Sequence, residues 1–141
     1  MRYLVMVQGA RADYDAMDGR ASARAPAWSP EELHAMFAFM EEINTDLAAS
    51  GELVDAQGLS SPADARMVTA DRDGRAVVTD DPYGPNEVLM AGYWVLDCAS
   101  LDRVTEIAAR VARCPVPEGS REYPVVIRPI GEPPADPGRM G

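Results

Sequence analysis

From Val88 to Leu96 the chain carries no charged side chain. Read with the period of two that a β-strand imposes, this run splits into Leu89, Ala91, Tyr93, Val95 on one side and Met90, Gly92, Trp94, Leu96 on the other. Both sets are apolar, and a strand that is apolar on both faces is covered on both faces. Any fold for this chain must therefore bury a central strand over residues 88–97 from two sides.

The rest of the chain supplies the covering elements. Residues 2–8 are a short apolar run suited to a buried strand. Residues 9–29 hold no period, and a connection of about twenty residues is long for a compact domain, so it is either a functional flap or a disordered loop. Ser29-Pro30-Glu31-Glu32 then has every part of a helix start: a capping Ser, Pro at the first helical position, and Glu three residues after the cap. Leu33, Met36, Phe37, Met40, Ile43 and Leu47 fall on one helical face, and Gly51 ends the helix. Residues 52–58 read as a strand. Residues 65–70 and 75–79 flank Asp71-Arg72-Asp73-Gly74, a hairpin signal. Ser100 caps a second helix with Leu101, Val104, Ala108 and Val111 inward and Arg110 and Arg113 in its last turn, and Pro115 ends it. Residues 122–130 read as the last strand, and Pro124 and Pro129 put it at a sheet edge because proline cannot donate to a ladder.

The order β-α-β, hairpin, β-α-β predicts an α+β ferredoxin-like sandwich, an antiparallel sheet with two helices on one face. One helix layer leaves the other sheet face bare, so the two-sided central strand predicts a homodimer. The domain is expected over residues 1–130, with a loose, Pro/Gly-rich tail over 131–141.

Charge narrows the partners. The chain has 13 basic residues, all Arg, against 23 acidic ones, a net charge of -10. A surface of that sign repels nucleic-acid backbones and anionic membrane, so neither is expected as a partner. No apolar run approaches the ~20 residues that span a bilayer, and the N-terminal run lacks the pattern of a secretory leader, which together predict a cytoplasmic protein. Cys98 and Cys114 form no CxxC and have no histidine beside them, so they read as small buried hydrophobes, and neither a metal nor another cofactor is expected.

The stretch from Thr79-Asp80-Asp81-Pro82-Tyr83-Gly84 through Asn86-Glu87 to Gly92-Tyr93-Trp94 and Asp97 resembles the signature of the YCII-related family, in particular its DGPF branch. The likeness extends to the first strand, to Ser29-Pro30-Glu31-Glu32, to the run from Leu47 to Leu59 and to the ending from Val125 to Ile130. It implies the ferredoxin-like fold in its dimeric α/β-barrel form, a homodimer, and for some members a link to alternative sigma factors. It implies no particular reaction.

Several residues are candidates for chemistry. His34 is the only histidine, with Glu41 two turns along the same side of its helix, and a His near a carboxylate is a general-base arrangement. Some YCII-like proteins use a histidine in an R-P-x-H-L motif on the equivalent helix; counted back from Gly51 it would fall near Met40, so the resemblance does not carry that role onto His34. Asp81 stands where the DGPF branch has glycine, at a turn where a positive φ is expected, and Asp is among the residues that tolerate one. Asp80 and Asp81 together are a carboxylate pair of the kind that binds a metal or shares a proton, or else caps the turn and faces water. Gly92 suits close approach of a backbone or ligand, while Tyr83, Tyr93 and Trp94 suit an aromatic-lined pocket or an interface. Arg128 on the last strand would meet an acidic group. The expected ligand-binding set is thus Asp80, Tyr83, Tyr93, Trp94 and Arg128, with His34 and Asp81 as the candidates for catalysis.

Two functions fit these features. One is a dimer that binds an unidentified small molecule between helix and sheet, with a weak lyase or isomerase activity as its catalytic form. The other is a non-catalytic regulatory or interaction protein linked to transcription, whose acidic surface suits a basic partner. In either case Tyr14 and the Asp13/Asp15 pair are expected to fold over the turn from Asp80 to Tyr83 if the 9–29 segment is a flap.

Overall fold

A computed structural model of the chain describes residues 1–131. The expected tail lies, beyond Gly131, outside the described residues. Strands β1 (Arg2–Gly9), β2 (Leu53–Gly58), β5 (Leu89–Asp97) and β6 (Val126–Pro129) form one sheet, and β3 (Arg66–Ala70) and β4 (Ala76–Asp80) form a separate hairpin. The helices are α1 (Arg11–Met17), α2 (Pro30–Ser50) and α3 (Leu101–Val111).

The sheet order is β2-β5-β1-β6, with β1 antiparallel to β5 and to β6 and β2 antiparallel to β5. This is the ferredoxin-like order, in which each β-α-β half leaves a gap that a strand of the other half fills. The strand β6 is an edge, as its prolines demand. It is shorter than residues 122–130, because Pro124 and its neighbours belong to a loop that runs from the end of α3.

The register separates the faces of the sheet. Val5 lies opposite Trp94 and Tyr3 opposite Leu96, and these four side chains are buried against α2 and α3 with Ile43, Leu47, Val104, Ile107 and Val111. Leu4 opposite Val95 and Met6 opposite Tyr93 lie on the other face, which no helix covers and where the side chains are half-buried.

Local chemistry explains the helix ends. Glu32 N–H donates to Ser29 Oγ at 3.1 Å and Ser29 N–H donates to Glu32 Oε1 at 2.8 Å, a reciprocal cap. Gly51 ends α2 with a φ of 79°, a conformation that costs other residues. The stripe of α2 is not uniformly buried: Ile43 and Leu47 are in the core, whereas Met36 and Met40 are half-buried and Phe37 is 59% exposed. The sheet beneath the first half of α2 carries Gly58, Ala91 and Gly92, which are too small to meet these side chains.

Residues 9–29 are ordered, and part of the segment is helical. Ala12 and Ala16, four apart on α1, pack with Ala25 and Trp28 into a small second core. The Asp13 carboxylate accepts the Ala10 N–H at 2.8 Å at the helix start. The hairpin β3–β4 stands clear of the sheet, with every residue of both strands exposed. No helix among the described residues is long and apolar enough to cross a membrane.

Candidate functional site

Large side chains over a small-residue floor leave space between α2 and the sheet. The principal cleft, ≈ 400 Å³, has Gly9, Gly58 and Ala91 as floor, Met36 and Phe37 of α2 as roof, and Trp28, Asp13 and Tyr14 from the 9–29 segment as one wall. The loop after α3 contributes Cys114, Val116, Ser120, Arg121 and Tyr123 as the other wall. This volume is within the usual range for small-molecule sites, roughly 300–1,000 Å³. A neighbouring cleft of ≈ 580 Å³ shares Gln8, Cys114, Arg121 and Tyr123 with it. A third, ≈ 270 Å³, shares Met36, Phe37, Gly58 and Ala91. Val7 and Met40 line both of these flanking clefts, so the three clefts adjoin one another around the first half of α2.

The polar groups of the principal cleft converge on one corner. Tyr123 O–H donates a short hydrogen bond to Asp13 Oδ2, the oxygen that also accepts from Ala10. Burial, then the hydrogen bond to Asp13 and its charge, push the Tyr123 hydroxyl up to about 12. Tyr14 O–H donates to the carbonyls of Leu59 at 3.0 Å and Ala91 at 3.2 Å, tying α1 to the ends of β2 and β5. Its pKa is raised first by burial and then by Asp13. Both phenols are therefore protonated at neutral pH and act as donors, not bases. The Arg121 guanidinium lies 5.0 Å from the centre of the Tyr123 ring, within cation–π range, and donates to the Asn86 carbonyl at 3.4 Å. Burial raises the Cys114 thiol to about 11, which keeps it an unreactive thiol and not a thiolate. The corner thus offers an acceptor, Asp13, and a cationic donor, Arg121, on either side of one tyrosine.

Of the residues proposed from sequence, Tyr93 and Trp94 both line the third cleft, and the others lie apart. His34 and Glu41 are exposed on α2. Asp80 pairs with Arg66 at 2.7 Å on the hairpin, and Asp81 pairs with Arg11 at 3.3 Å, so the adjacent carboxylates neutralise different arginines and do not share a proton. Tyr83 lines a separate cleft of ≈ 360 Å³ with Leu59, Pro62 and Met90. Tyr93 donates to Asp55 Oδ2 at 3.3 Å. Arg128 lies on β6 beside Leu4. Trp94 is a core residue, 6% exposed, whose Nε1–H donates to Asn44 Oδ1 at 2.7 Å. Gly92 answers to a backbone: a Cβ there would sit 3.0 Å from the Gln57 carbonyl oxygen.

The 9–29 segment does meet the acidic turn. Arg11 pairs with Asp81, and Ala12 N–H donates to the Pro85 carbonyl at 2.9 Å. Tyr14 and Asp13 point into the cleft, while Asp15 pairs with Arg20 instead. Sequence reasoning missed Tyr123 because residues 122–130 read as a strand, and missed Arg121 because it lay outside every expected element. The signal available for them was the proline spacing, Pro115, Pro117 and Pro124, which marks a loop.

A profile of the YCII-related domain matches residues 1–127. The chain belongs to the YCII-related family. An uncharacterised protein of Rhizobium meliloti (strain 1021) is 26% identical over 110 residues, which cover 77% of this chain and 88% of that protein. The YCII-related match spans β1, β2 and β5, the first two residues of β6 and both walls of the cleft.

Proposed function

We propose that this YCII-related protein is a cytoplasmic homodimer that binds a small molecule in the cleft between α1, the first half of α2 and the loop after α3. The observation that carries the reading is the mismatch under α2. Met36 and Phe37 are held over Gly9, Gly58 and Ala91, with the Asp13–Tyr123 pair at one end. Leaving Phe37 59% exposed above a glycine floor forgoes packing that a longer floor residue would supply, and a ligand supplies it instead. The dimer rests on the half-buried apolar face around Leu4, Met6, Tyr93 and Val95. Thermal-shift screening against a metabolite library tests the binding, because a ligand specific to the folded state raises the midpoint. Gly58→Leu supplies the control. Gly58 lines the cleft and a Cβ there meets nothing within 4 Å, so the leucine's first carbon is accommodated and its branch is expected to fill cleft space. Hits that stabilise the wild type and not Gly58→Leu support the reading; hits indifferent to Gly58→Leu, or none at all, overturn it.

A second reading, an interaction protein without a ligand, draws on the hairpin. Met67, Val68, Val77 and Val78 are between 45% and 58% exposed there, and a two-stranded hairpin is marginal by itself. Deletion of residues 66–80 with retention of every thermal-shift hit separates this reading from the first.

A further inference from the structure

The adjacency of the three clefts and the paired charges at one end restrict what the site takes. We propose that the ligand is an elongated apolar molecule with a neutral head group that both donates and accepts a hydrogen bond, such as a primary amide. This rests on the small-molecule reading above and names its ligand class.

The head is specified at Tyr123. Asp13 sits at its hydroxyl and Arg121 over its ring, so the two charges flank one side chain. Asp13 Oδ2 accepts from Ala10 N–H and Tyr123 O–H, while Oδ1 accepts no hydrogen bond among the described residues and Asp13 lines the cleft. Arg121 uses Nη1 on the Asn86 carbonyl and has further N–H groups to donate. An amide N–H meets Asp13 while its carbonyl meets Arg121. An anionic head would satisfy Arg121 and face the Asp13 carboxylate; a cationic head would do the reverse. Burial of either without its full complement is costly, so the balanced site favours a neutral head.

The body is specified by α2. The cleft at the Tyr123 corner, with Met36 and Phe37 in its lining, adjoins across those two residues the cleft lined by Met40, Val7 and Trp94. Flexible methionines adapt to an apolar chain, and Gly58 and Gly92 leave room for one. No charged side chain lines the third cleft, where the far end of such a chain would rest.

The test uses the full chain and four probes: octanamide, butanamide, octanoate and octylamine, titrated by calorimetry and by the fluorescence of Trp28, which lines the cleft. Octanamide is expected to bind at least about tenfold more tightly than butanamide, since each buried methylene contributes to transfer from water, and at least about tenfold more tightly than octanoate or octylamine. Gly58→Leu is expected to abolish the chain-length dependence, and Arg121→Gln to remove the preference for the amide over octylamine. Asp13→Asn is expected to lift the penalty on octanoate; if that variant does not fold, the Arg121→Gln arm decides the head group alone. Equal affinity for octanamide and butanamide, or preference for either charged head, overturns the proposal. If library hits are blocked by Gly58→Leu yet are short or charged, the cleft is a binding site and only this ligand class fails. If nothing binds, both readings fail.

Discussion

At Asp81 the backbone enters the left-handed region with a φ of 46°, where the related signature has glycine. The side chain offsets part of the strain, since both its oxygens accept from Arg11 Nη1 at 3.3 Å. Asp81→Ala loses the ion pair and keeps the strain, and is expected to cost about 1–2 kcal/mol. Asp81→Gly loses the ion pair and relieves the strain, and is expected to stay within about 1 kcal/mol of wild type. Urea denaturation of the two variants checks this, and equal costs would show that the φ carries no strain. Trp94 and His34 give the opposite pair. Trp94→Ala removes a buried ring and strands Asn44, for a loss of roughly 3–5 kcal/mol. His34→Ala changes an exposed side chain and is expected within about ±0.5 kcal/mol. A denaturation series in the reverse order would refute the assignment of core and surface.

Between elements, a two-point ion pair joins Glu52, just before β2, to Arg103 of α3. Arg103 donates to both Glu52 oxygens, at 2.9 and 2.8 Å, and Ser50 Oγ donates to the same carboxylate. The hydrogen bonds from Arg103 outweigh burial and hold Glu52 at about 2, below its ordinary 4.5. A carboxyl whose folded pKa is depressed stabilises the fold fully above its unfolded pKa and loses that contribution as pH falls through its folded pKa. Stability should therefore decline between about pH 4.5 and pH 2, with Glu52 a principal contributor. Glu52→Gln should remove about 1–2 kcal/mol at pH 7, less than the full shift implies because Arg103 is 42% exposed and solvent screens the pair. It should also flatten this part of the acid profile. Chemical denaturation at stepped pH reads both effects, and an unchanged acid slope in Glu52→Gln would reassign the transition to other carboxylates. The same scale explains what the sequence concealed. The caps Ser29 and Gly51 act within a few residues and were legible. Helix α1 was not, because its inward face is only Ala12 and Ala16, and alanines mark no hydrophobic period.

For the whole molecule, the uncovered sheet face is the decisive surface. Leu4, Met6, Tyr93 and Val95 share it in register across β1 and β5. A homodimer closing this face is expected to bury more than about 1,000 Å². Sedimentation at micromolar concentration is expected to give twice the chain mass, and Val95→Arg, on the surface side of a sheet whose core lies opposite, is expected to give the chain mass with unchanged circular dichroism. A wild-type chain that sediments as a monomer would leave this face without a second copy.

The sequence by itself determined the strand order's ingredients, the helix ends and the edge position of the last strand. Each of these depends on neighbours within one turn or on the period of a single element. Tertiary structure alone decided which aromatic is core and which lies on the uncovered sheet face, since Tyr93 and Trp94 are equivalent until the sheet acquires an inside. It also decided the cleft, whose corner joins Asp13 to Tyr123 across 110 residues of chain. Contacts of that span leave no period and no local motif. They arise because β1 and the loop before β6 end at the same corner of the sheet, and only the folded sheet brings those ends together.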